Sequence, residues 1–516
     1  MPAVTELADR RDPVARWWFR VGVAVAMGVA VLLAVGLSCG LLTGHPIGAA
    51  DNGDGARLYC GAGLAPATPS GRANWQGGVV LTFDRVPPCA DPIPSSAGVL
   101  LRVAAHAGAG PWSLTRLGWL YTLLAAGVGG LAAWAASRAG PLRVLALVPA
   151  LAPLADPSFT RFFLSAYSEP AGLLGCVTVL CGAAVVCVTE RAHRAERTIA
   201  ILLLAGGGVL AATAKTAYLP VLAVAAVVCA LTAVPVRRGE RHRYDRVGPL
   251  AVAVLAVVVV AGPTSAALSW QDRHYPGVNA YDLIYTTVLP GVPDATTALG
   301  LPEAAADHAG EAFYPGPVTS VPGAGVVATA PGPEQRLAWQ VLATHPAAAL
   351  HALGIALQAT RGDELTYLPG RPWTPQTSAV SLGQVVGEQG ANGPSLRAWL
   401  DGMRLPWLSS ALVLLGVLVG AAGLWRRRAA WSWFARIAGL AAVSAVPLAA
   451  LAVAGDGYFE IAKHVWPAAY LVDVSALALL GALVSAIAER LRRPSRPASE
   501  AGRLTAELDL TGEPVN

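Results

Sequence analysis

Long apolar stretches recur along the chain, and none of them alternates between apolar and polar positions as a half-buried strand would. The stretch Val21–Leu42, for example, contains no charged residue. About 20 apolar residues cross a bilayer as a helix, and only helices and closed barrels satisfy their backbone in lipid. The pattern therefore predicts an all-α integral membrane protein, a bundle of about ten transmembrane helices. The predicted spans lie near residues 21–43, 117–137, 141–155, 170–189, 199–214, 217–235, 248–268, 406–424, 434–454 and 466–488.

The third of these spans, residues 141–155, is short and contains Pro141, Pro149 and Pro153. Proline removes a backbone N–H group and disfavours the helical conformation of the residue before it. We therefore expect this span to be tilted, broken or re-entrant rather than a straight crossing.

Composition agrees with a membrane protein, because 54% of the residues are hydrophobic and only 13% are charged. Soluble domains carry about 25% charged residues, which argues against a soluble fold. Arginines concentrate in segments 10–20, 191–197, 237–246, 426–436 and 490–496. Cytoplasmic loops are enriched in Lys and Arg, so both termini are expected in the cytoplasm of a multi-pass plasma membrane protein. The net charge of +5 then reflects topology and contact with membrane lipid, and no nucleic-acid partner is expected.

In this orientation, two long segments lie outside the cell. The first outer segment, 44–116, ends in an apolar stretch at 95–109 that suits a helix lying along the membrane interface. The second outer segment has apolar residues at helical spacing over 334–360 and is expected to pack on the membrane domain as a lid. The expected division is a cytoplasmic segment 1–20, a transmembrane module 21–270 that begins with a retained anchor, an extracytoplasmic segment 271–405, a second transmembrane module 406–490 and a disordered cytoplasmic tail 491–516.

Two of the seven cysteines lie outside the predicted spans. The other five fall inside spans, where a thiol behaves as a small hydrophobic group. Cys60 and Cys89 belong to the first outer segment, in an oxidising compartment, where a disulfide would close a loop of about 30 residues. We expect these two to be bonded, and two free thiols are the alternative.

A first group of candidate site residues, Asp51, Asp54 and Arg57, follows closely after the first predicted span. A carboxylate near the low-dielectric membrane boundary can serve as a general base, because desolvation raises its pKa toward neutrality. The guanidinium group suits bidentate hydrogen bonds to a phosphate. The alternative is a solvated turn, which Asn, Asp and Gly also favour.

A second group occupies Gly455–His464, at the outer junction of the last two spans. If this segment forms the first turns of one helix, its ionisable side chains share a face and line one wall of a site. Only two lysines occur in the chain, Lys463 here and Lys215 at another predicted outer helix end, and a compact ammonium suits a phosphate. The alternative is a salt-bridged helix end with no further role. The ionisable residues at helical spacing are Asp456, Glu460, Lys463 and His464.

A third group, Tyr167-Ser168-Glu169, directly precedes Pro170 at the start of the fourth span. An acidic residue followed by proline is also an ordinary helix start, so structural and functional interpretations compete here. The histidines outside the spans show no metal-ligand spacing, and no nucleotide-binding or hydrolase motif is present. The acidic clusters all fall on the predicted outer side, where nucleotide sugars are not supplied. Any group transfer there must use a donor carried by the lipid.

At these residues the chain resembles the GT-C glycosyltransferases, polytopic enzymes with a catalytic acid in the first outer loop that use polyprenyl-phosphate sugars. More narrowly, it is similar to the WsfD-type hexose transferases of glycan biosynthesis, over most of residues 20–490. The motifs that carry the likeness are Asn52-Gly53-Asp54 with Arg57, Tyr167-Ser168-Glu169, Asn279-Ala280-Tyr281-Asp282 with Pro293-Asp294, and Gly455–His464. The second outer segment departs from that pattern, because it contains no evident soluble carbohydrate-binding domain.

The resemblance implies an inverting transfer of a sugar from a polyprenyl phosphate to a glycan or cell-wall acceptor. Asp54 would be the general base, or Asp51 if the loop is shifted by one turn. The departing phosphate would be held by Arg57, Lys463 and His464, and Glu169 would orient the sugar. The chemistry requires no metal or other cofactor, although the sequence leaves a divalent cation open. The expected pocket-lining residues are Asp456, Tyr458, Glu460 and Tyr167.

Two other classes of protein compete with an enzyme. A transporter or flippase of lipid-linked glycans would need ionisable residues along the membrane midplane, whereas here they cluster at the outer ends of spans. A non-catalytic membrane scaffold would tolerate replacement of its acidic loop residues. The distribution of charge therefore favours the enzyme.

The arginine distribution generates a first prediction, on topology. Single cysteines introduced into segments 191–197, 237–246 and 426–436 should react with an impermeant maleimide only after the cells are permeabilised. Single cysteines in segment 271–405 should react in intact cells. Labelling of segment 271–405 from the cytoplasmic side alone would overturn this orientation.

Overall fold

Helices dominate the structure, a computed structural model. It describes residues 13–46, 48–49, 53–67, 80–106, 110–190, 192–235, 246–275, 277–313, 320–361, 399, 402–403, 405–426 and 429–492. Within these residues, the helices of ten or more residues are α1 Pro13–Ser38, α2 Ser96–Ala105, α3 Thr115–Ser137, α4 Glu169–Val188, α5 Arg194–Ala214, α6 Leu219–Leu231, α7 Val247–His274, α8 Pro331–Thr344, α9 Pro346–Ala359, α10 Leu408–Trp425, α11 Trp431–Asp456 and α12 Trp466–Leu491.

Eight of these helices are long and apolar enough to cross a membrane, namely α1, α3, α4, α5, α7, α10, α11 and α12. The prediction of an all-α integral membrane protein is therefore confirmed. Each of the eight covers most or all of a predicted span. The predicted span at 217–235 is the shorter apolar stretch Thr216–Leu231, which contains α6.

The third predicted span is broken, as its prolines indicate. Short helical turns over Pro141–Ala155 are followed by a second helical stretch, Pro157–Leu164, and the two differ in direction by 69°. Asp156 lies at the break, where its carboxylate accepts a hydrogen bond from the backbone N–H of Ser158 at 2.8 Å. An aspartate before a proline thus ends one segment and caps the next.

Small residues let the membrane helices approach closely. Helices α10 and α11 cross at Gly420 and Gly439, and a Cβ atom added to Gly420 would lie 2.5 Å from the Gly439 Cα. Helices α4 and α5 touch in the same way, because a Cβ on Gly175 would lie 2.7 Å from the Gly207 carbonyl oxygen. Lipid tails are as apolar as leucine, so such close backbone packing replaces the hydrophobic drive available in water.

The first outer segment contains a small antiparallel sheet of three strands, β1 Leu64–Pro66, β2 Thr82–Arg85 and β3 Trp112–Ser113, with β2 in the centre. These short strands carry no alternating pattern long enough to predict them from the sequence. Aromatic side chains pack across the sheet, since the rings of Tyr59 and Trp112 each lie 5.6 Å from that of Phe83. A disulfide joins Cys60 to Cys89 beside the sheet, and the Cys89 backbone N–H donates to the Cys60 carbonyl at 3.1 Å.

The second outer segment packs on the outer end of α11. The helix expected over 334–360 is instead two helices, α8 and α9, bent by 104°. The break follows from Pro346, because the residue before a proline is pushed out of the helical conformation. Helix α8 lies against α11, and the Trp339 indole donates to the Ala454 carbonyl at 2.8 Å.

The close crossing of α10 and α11 generates a second prediction. Gly420→Ala should lower the thermal unfolding midpoint of the detergent-solubilised protein, because the new methyl group meets the backbone of Gly439. Overpacking of this kind costs about 1–3 kcal/mol. Gly127→Ala is the matched control, because a Cβ there has no neighbour within 4 Å. Equal midpoints for the two variants would contradict the packing described here.

Candidate active site

One cavity of about 1110 Å³ collects most of the candidate residues. It lies between the first outer segment, the N-terminus of α4, the C-terminus of α5, the outer half of α7, helix α8 and the C-terminus of α11. The ionisable residues on its wall are Asp54, Arg57, Glu169, Lys215, Asp272, Asp456, Glu460 and His464. Residues far apart in the sequence thus converge at one end of the helix bundle.

Asp54 lies in a tight turn after Gly53, whose φ of +101° favours glycine. The short helix Ala56–Tyr59 begins directly after this turn and carries Arg57 back toward the carboxylate. One carboxylate oxygen of Asp54 accepts from the Arg57 guanidinium, and the other accepts from the Lys463 ammonium. Asp54 thus makes two ion pairs while a quarter of its side chain stays exposed.

Arg57 faces the cavity with an incomplete set of partners. Its guanidinium carbon lies 4.8 Å from the centre of the Tyr275 ring, a cation–π contact that fixes its orientation. The Nε–H of Arg57 is buried and has no acceptor among the described residues. A guanidinium with an unused donor at a cavity wall is suited to an anionic ligand.

Lys463 is placed differently from the expectation that it holds a phosphate. Its side chain is only 1% exposed and is absent from the cavity wall. The ammonium donates to Asp54 and to the Glu460 carboxylate at 2.5 Å, and it lies 5.3 Å from the centre of the Tyr167 ring. In this structure Lys463 therefore bridges two carboxylates behind the cavity surface.

The segment Gly455–His464 does not form one helix with α12, which corrects the sequence expectation. Helix α11 ends at Asp456, Gly457 has φ +56°, and Glu460 has φ +47°. A Cβ at Gly457 would collide with the Asp282 carbonyl and the Thr286 hydroxyl, so the close approach requires glycine. The Thr286 hydroxyl also accepts from the Tyr458 backbone N–H at 2.8 Å. Contact with the second outer segment thus imposes a turn where sequence spacing indicated a helix.

This turn brings Asp456 and His464 together. The His464 Nε2 atom lies 3.3 Å from an Asp456 carboxylate oxygen and 3.9 Å from Glu460. Burial lowers the pKa of His464 well below its ordinary value, and the positive charges of Lys215, Lys463 and Arg57 lower it further. At neutral pH these surroundings favour the uncharged imidazole.

Glu169 is buried at the first position of α4, directly before Pro170. Its carboxylate accepts from the Lys215 ammonium at 3.1 Å and from the Ser168 hydroxyl at 3.2 Å. Tyr167 and Ser168 accompany it on the cavity wall. Glu169 therefore both begins α4 and lines the cavity. The interpretation as a helix start and the interpretation as a site residue are compatible.

Comparison with known families fits this architecture. Residues 15–324, more than half of the chain, match the family described as the YfdI N-terminal transmembrane domain. The chain belongs to this family. Its members are membrane glycosyltransferase-like proteins. The match includes Asp54, Glu169 and Lys215, whereas Lys463 and His464 lie beyond it. No curated protein and no protein of solved structure matches the chain.

Two other residues, Asp51 and Tyr458, were also expected at the site. Asp51 lies outside the described residues. Tyr458 is not on the cavity wall and contacts the second outer segment through its backbone. Within the described part of the chain, no three His, Cys, Asp or Glu side chains are grouped as a metal site would require.

Gln335, Trp339 and Tyr275 line the wall although no sequence motif predicted them there, and Lys215 was noted only as a lysine at a predicted helix end. Gln335 and Trp339 face the cavity from α8, and the Gln335 amide donates to the Gly455 carbonyl at 3.3 Å. Their spacing of four residues within a predicted helix is a signal that they share a face. Tyr275 and Lys215 also line the cavity. Lys215 carried the signal of being one of two lysines at predicted outer helix ends.

Asp282 is fully buried just behind the cavity. One of its carboxylate oxygens accepts from the Phe313 backbone N–H at 2.7 Å, and the other has no partner among the described residues. Burial raises the pKa of Asp282 to about 8, and the charges of Asp456 and Glu460 add to the rise, although the hydrogen bond from Phe313 opposes it. A carboxyl of this kind is neutral over most of the physiological range.

This environment generates a third prediction. The folded-state pKa of Asp282 is raised, so its contribution to stability is full at low pH and is lost as pH rises from about 4 through about 8. Asp282→Asn removes that loss and keeps the acceptor for Phe313. The unfolding midpoint of the variant should therefore exceed that of the wild type by at least about 2 °C at pH 8, and the difference should vanish near pH 4.

The matched control for this third prediction is Asp307→Asn, because Asp307 is exposed in the same outer segment. Its unfolding midpoint should follow that of the wild type at both pH values. An Asp282→Asn midpoint parallel to that of the wild type from pH 4 to pH 8 would show that the Asp282 carboxyl ionises normally.

Proposed function

We propose that this protein is a membrane glycosyltransferase of the GT-C type that moves a sugar, a hexose by its likeness to WsfD-type transferases, from a polyprenyl-phosphate donor. The observation that carries the proposal is the junction of two spaces. The cavity around Asp54, whose wall carries the charged side chains described above, adjoins a groove of about 410 Å³ lined by residues of α6 and α7, most of them apolar. Leu219, Thr264, Leu268 and Asp272 belong to the walls of both.

The groove supports a donor that stays attached to lipid. Helix α7 is an apolar helix of 28 residues that is largely uncovered by protein, so it borders the hydrocarbon. An isoprenoid chain in the groove would place its phosphate and sugar near the residues common to both walls, at the edge of the cavity that contains Asp54. A water-soluble donor would have no lipid chain to place in this groove.

The proposed chemistry is a single displacement with inversion at the sugar C1. Asp54 accepts the proton of an acceptor hydroxyl, whose oxygen forms a bond to C1. The bond from C1 to the phosphate oxygen breaks, and its electron pair leaves with the polyprenyl phosphate. Arg57 neutralises the departing charge, and Lys463 orients the Asp54 carboxylate through their ion pair. A lipid phosphate is a good leaving group, so the reaction requires no metal.

The remaining assignments follow from the arginine distribution and from the donor. We place the cavity on the extracytoplasmic side of the plasma membrane and take the acceptor to be a glycan or another component of the cell envelope. The neutral His464, beside Asp456, is suited to hydrogen-bond the phosphate or the sugar. Gln335 and Trp339 of α8 are suited to contact the sugar ring, as amide and indole groups at a cavity wall.

The fourth prediction tests the base. Asp54→Asn should reduce transfer by at least about 100-fold, the range of a lost general base. The change also removes the charge of one partner of the buried Lys463 ammonium, so the unfolding midpoint is measured alongside. Donor affinity should stay within about threefold of that of the wild type, because the amide oxygen can still accept from Lys463 and Glu460 keeps its charge. Asparagine retains the shape of the side chain and loses its basicity. The measurement is transfer of labelled sugar from a polyprenyl-phosphate sugar by the purified protein in lipid nanodiscs, with donor binding titrated separately.

The same assay includes Asp307→Asn, an identical change of a carboxylate to an amide at an exposed position away from the cavity. This control should transfer sugar at the wild-type rate. If Asp54→Asn also does so, Asp54 is not the base. If the wild type moves lipid-linked glycans across the bilayer without forming a glycosidic bond, the protein is a transporter and the proposed reaction is wrong.

A further inference from the structure

Among the described residues, three cationic side chains lie on or behind the cavity wall, and they differ in whether a ligand can reach them. Lys463 is buried behind the wall between Asp54 and Glu460. Arg57 and Lys215 both line the cavity, with about 30% and 25% of their side chains exposed. A ligand in the cavity therefore meets Arg57 and Lys215 before it meets the buried ammonium.

Lys215 lines the cavity and is followed closely in sequence by a residue that also lines the groove. It caps the C-terminus of α5 in an extended conformation, and the turn Thr216–Tyr218 leads directly to Leu219, which lines both the groove and the cavity. An anionic group attached to a lipid chain in the groove would therefore enter the cavity whose wall contains this ammonium. Arg57 lies on the wall contributed by the first outer segment.

Among the described residues, the Lys215 ammonium makes one side-chain hydrogen bond. An ammonium group has three N–H donors, and the hydrogen bond of Lys215 to Glu169 uses one of them. Glu169 is 1% exposed and is further fixed by the Ser168 hydroxyl, so it is a rigid anchor. An anchored lysine loses less side-chain entropy when it binds an anion than a freely moving one does.

The positive charges act on the same region of space. Lys215, Lys463 and Arg57 each lower the pKa of His464, which borders the cavity. All three cations therefore lie within electrostatic range of the same imidazole, and two of them, Arg57 and Lys215, are exposed on the cavity wall.

We infer that Lys215 binds the phosphate of the lipid-linked ligand at the junction of groove and cavity, with Arg57 as the second cation and Glu169 as the positioning residue that holds the ammonium. The assignment rests on the lipid-phosphate donor class of the proposed function. It gives Glu169 the task of orienting a cation, where sequence reasoning expected it to orient the sugar. It also gives Lys215 the phosphate contact expected of Lys463.

The test measures binding of farnesyl phosphate and of farnesol, which share the isoprenoid chain and differ in the phosphate, to the full chain in nanodiscs of neutral lipid. The wild type should prefer farnesyl phosphate. Replacing Lys215 alone would leave the Glu169 carboxylate buried without its partner, so the main variant is the double change Lys215→Met with Glu169→Gln. It should weaken farnesyl phosphate binding by about tenfold or more, the range of a lost charge-assisted hydrogen bond.

Three further variants separate charge from structure. Lys215→Arg should retain most of the phosphate preference, because the charge remains. Glu169→Gln alone should weaken farnesyl phosphate binding by less than the double change, because the ammonium remains without its anchor. Arg273→Ala, which removes a cation from the outer end of α7 away from the cavity wall, should bind as the wild type does. Farnesol affinity should be equal in all of them.

Equal affinity of the wild type and the double variant for farnesyl phosphate would overturn the inference, and so would a parallel loss of farnesol binding. Neither result depends on sugar transfer. If the double variant loses phosphate binding while the wild type transfers no sugar, the phosphate site stands and the proposed reaction fails. If Asp54→Asn abolishes transfer while the double variant binds normally, the reaction stands and Lys215 is not its phosphate ligand.

Discussion

The bridge from Lys463 to Asp54 and Glu460 is the interaction on which the candidate site depends. A buried ammonium must keep its carboxylate partners, because an unpaired charge away from water costs several kcal/mol. Lys463 therefore ties the first outer segment to the turn between α11 and α12, across a sequence separation of 409 residues. The two walls of the cavity are held at a fixed distance by this requirement.

Each partner in the bridge is stiffened by its own surroundings. The turn that carries Asp54 continues into a short helix that ends at the Cys60–Cys89 disulfide and the small sheet. The turn that carries Lys463 is shaped by Gly457, which lies against Asp282 and Thr286 of the second outer segment. A flexible loop could move away from the bridge without disturbing any other contact. These two loops cannot move apart without also breaking the contacts that shape them.

Sequence patterns predicted what local physics determines and missed what distant contacts impose. The spans follow from apolar length, and the broken third span follows from its prolines, so both could be foreseen. The turn at Gly457 could not, because it depends on a backbone approach to Asp282, far away in the sequence. Spacing placed Lys463 and Lys215 at outer helix ends, but only the packed structure separates the buried ammonium from the exposed one.

The buried Lys463 and the exposed Lys215 suit two roles that place opposite requirements on a cation. A cation that orients a base must stay with its carboxylate throughout, and burial between two carboxylates achieves this for Lys463. A cation that binds and releases a ligand needs free donors and contact with the cavity, which Lys215 has. One lysine cannot meet both requirements, because desolvation strengthens its existing ion pairs and excludes new partners. The only two lysines of the chain therefore occupy complementary environments, one buried between two carboxylates and one partly exposed on the cavity wall.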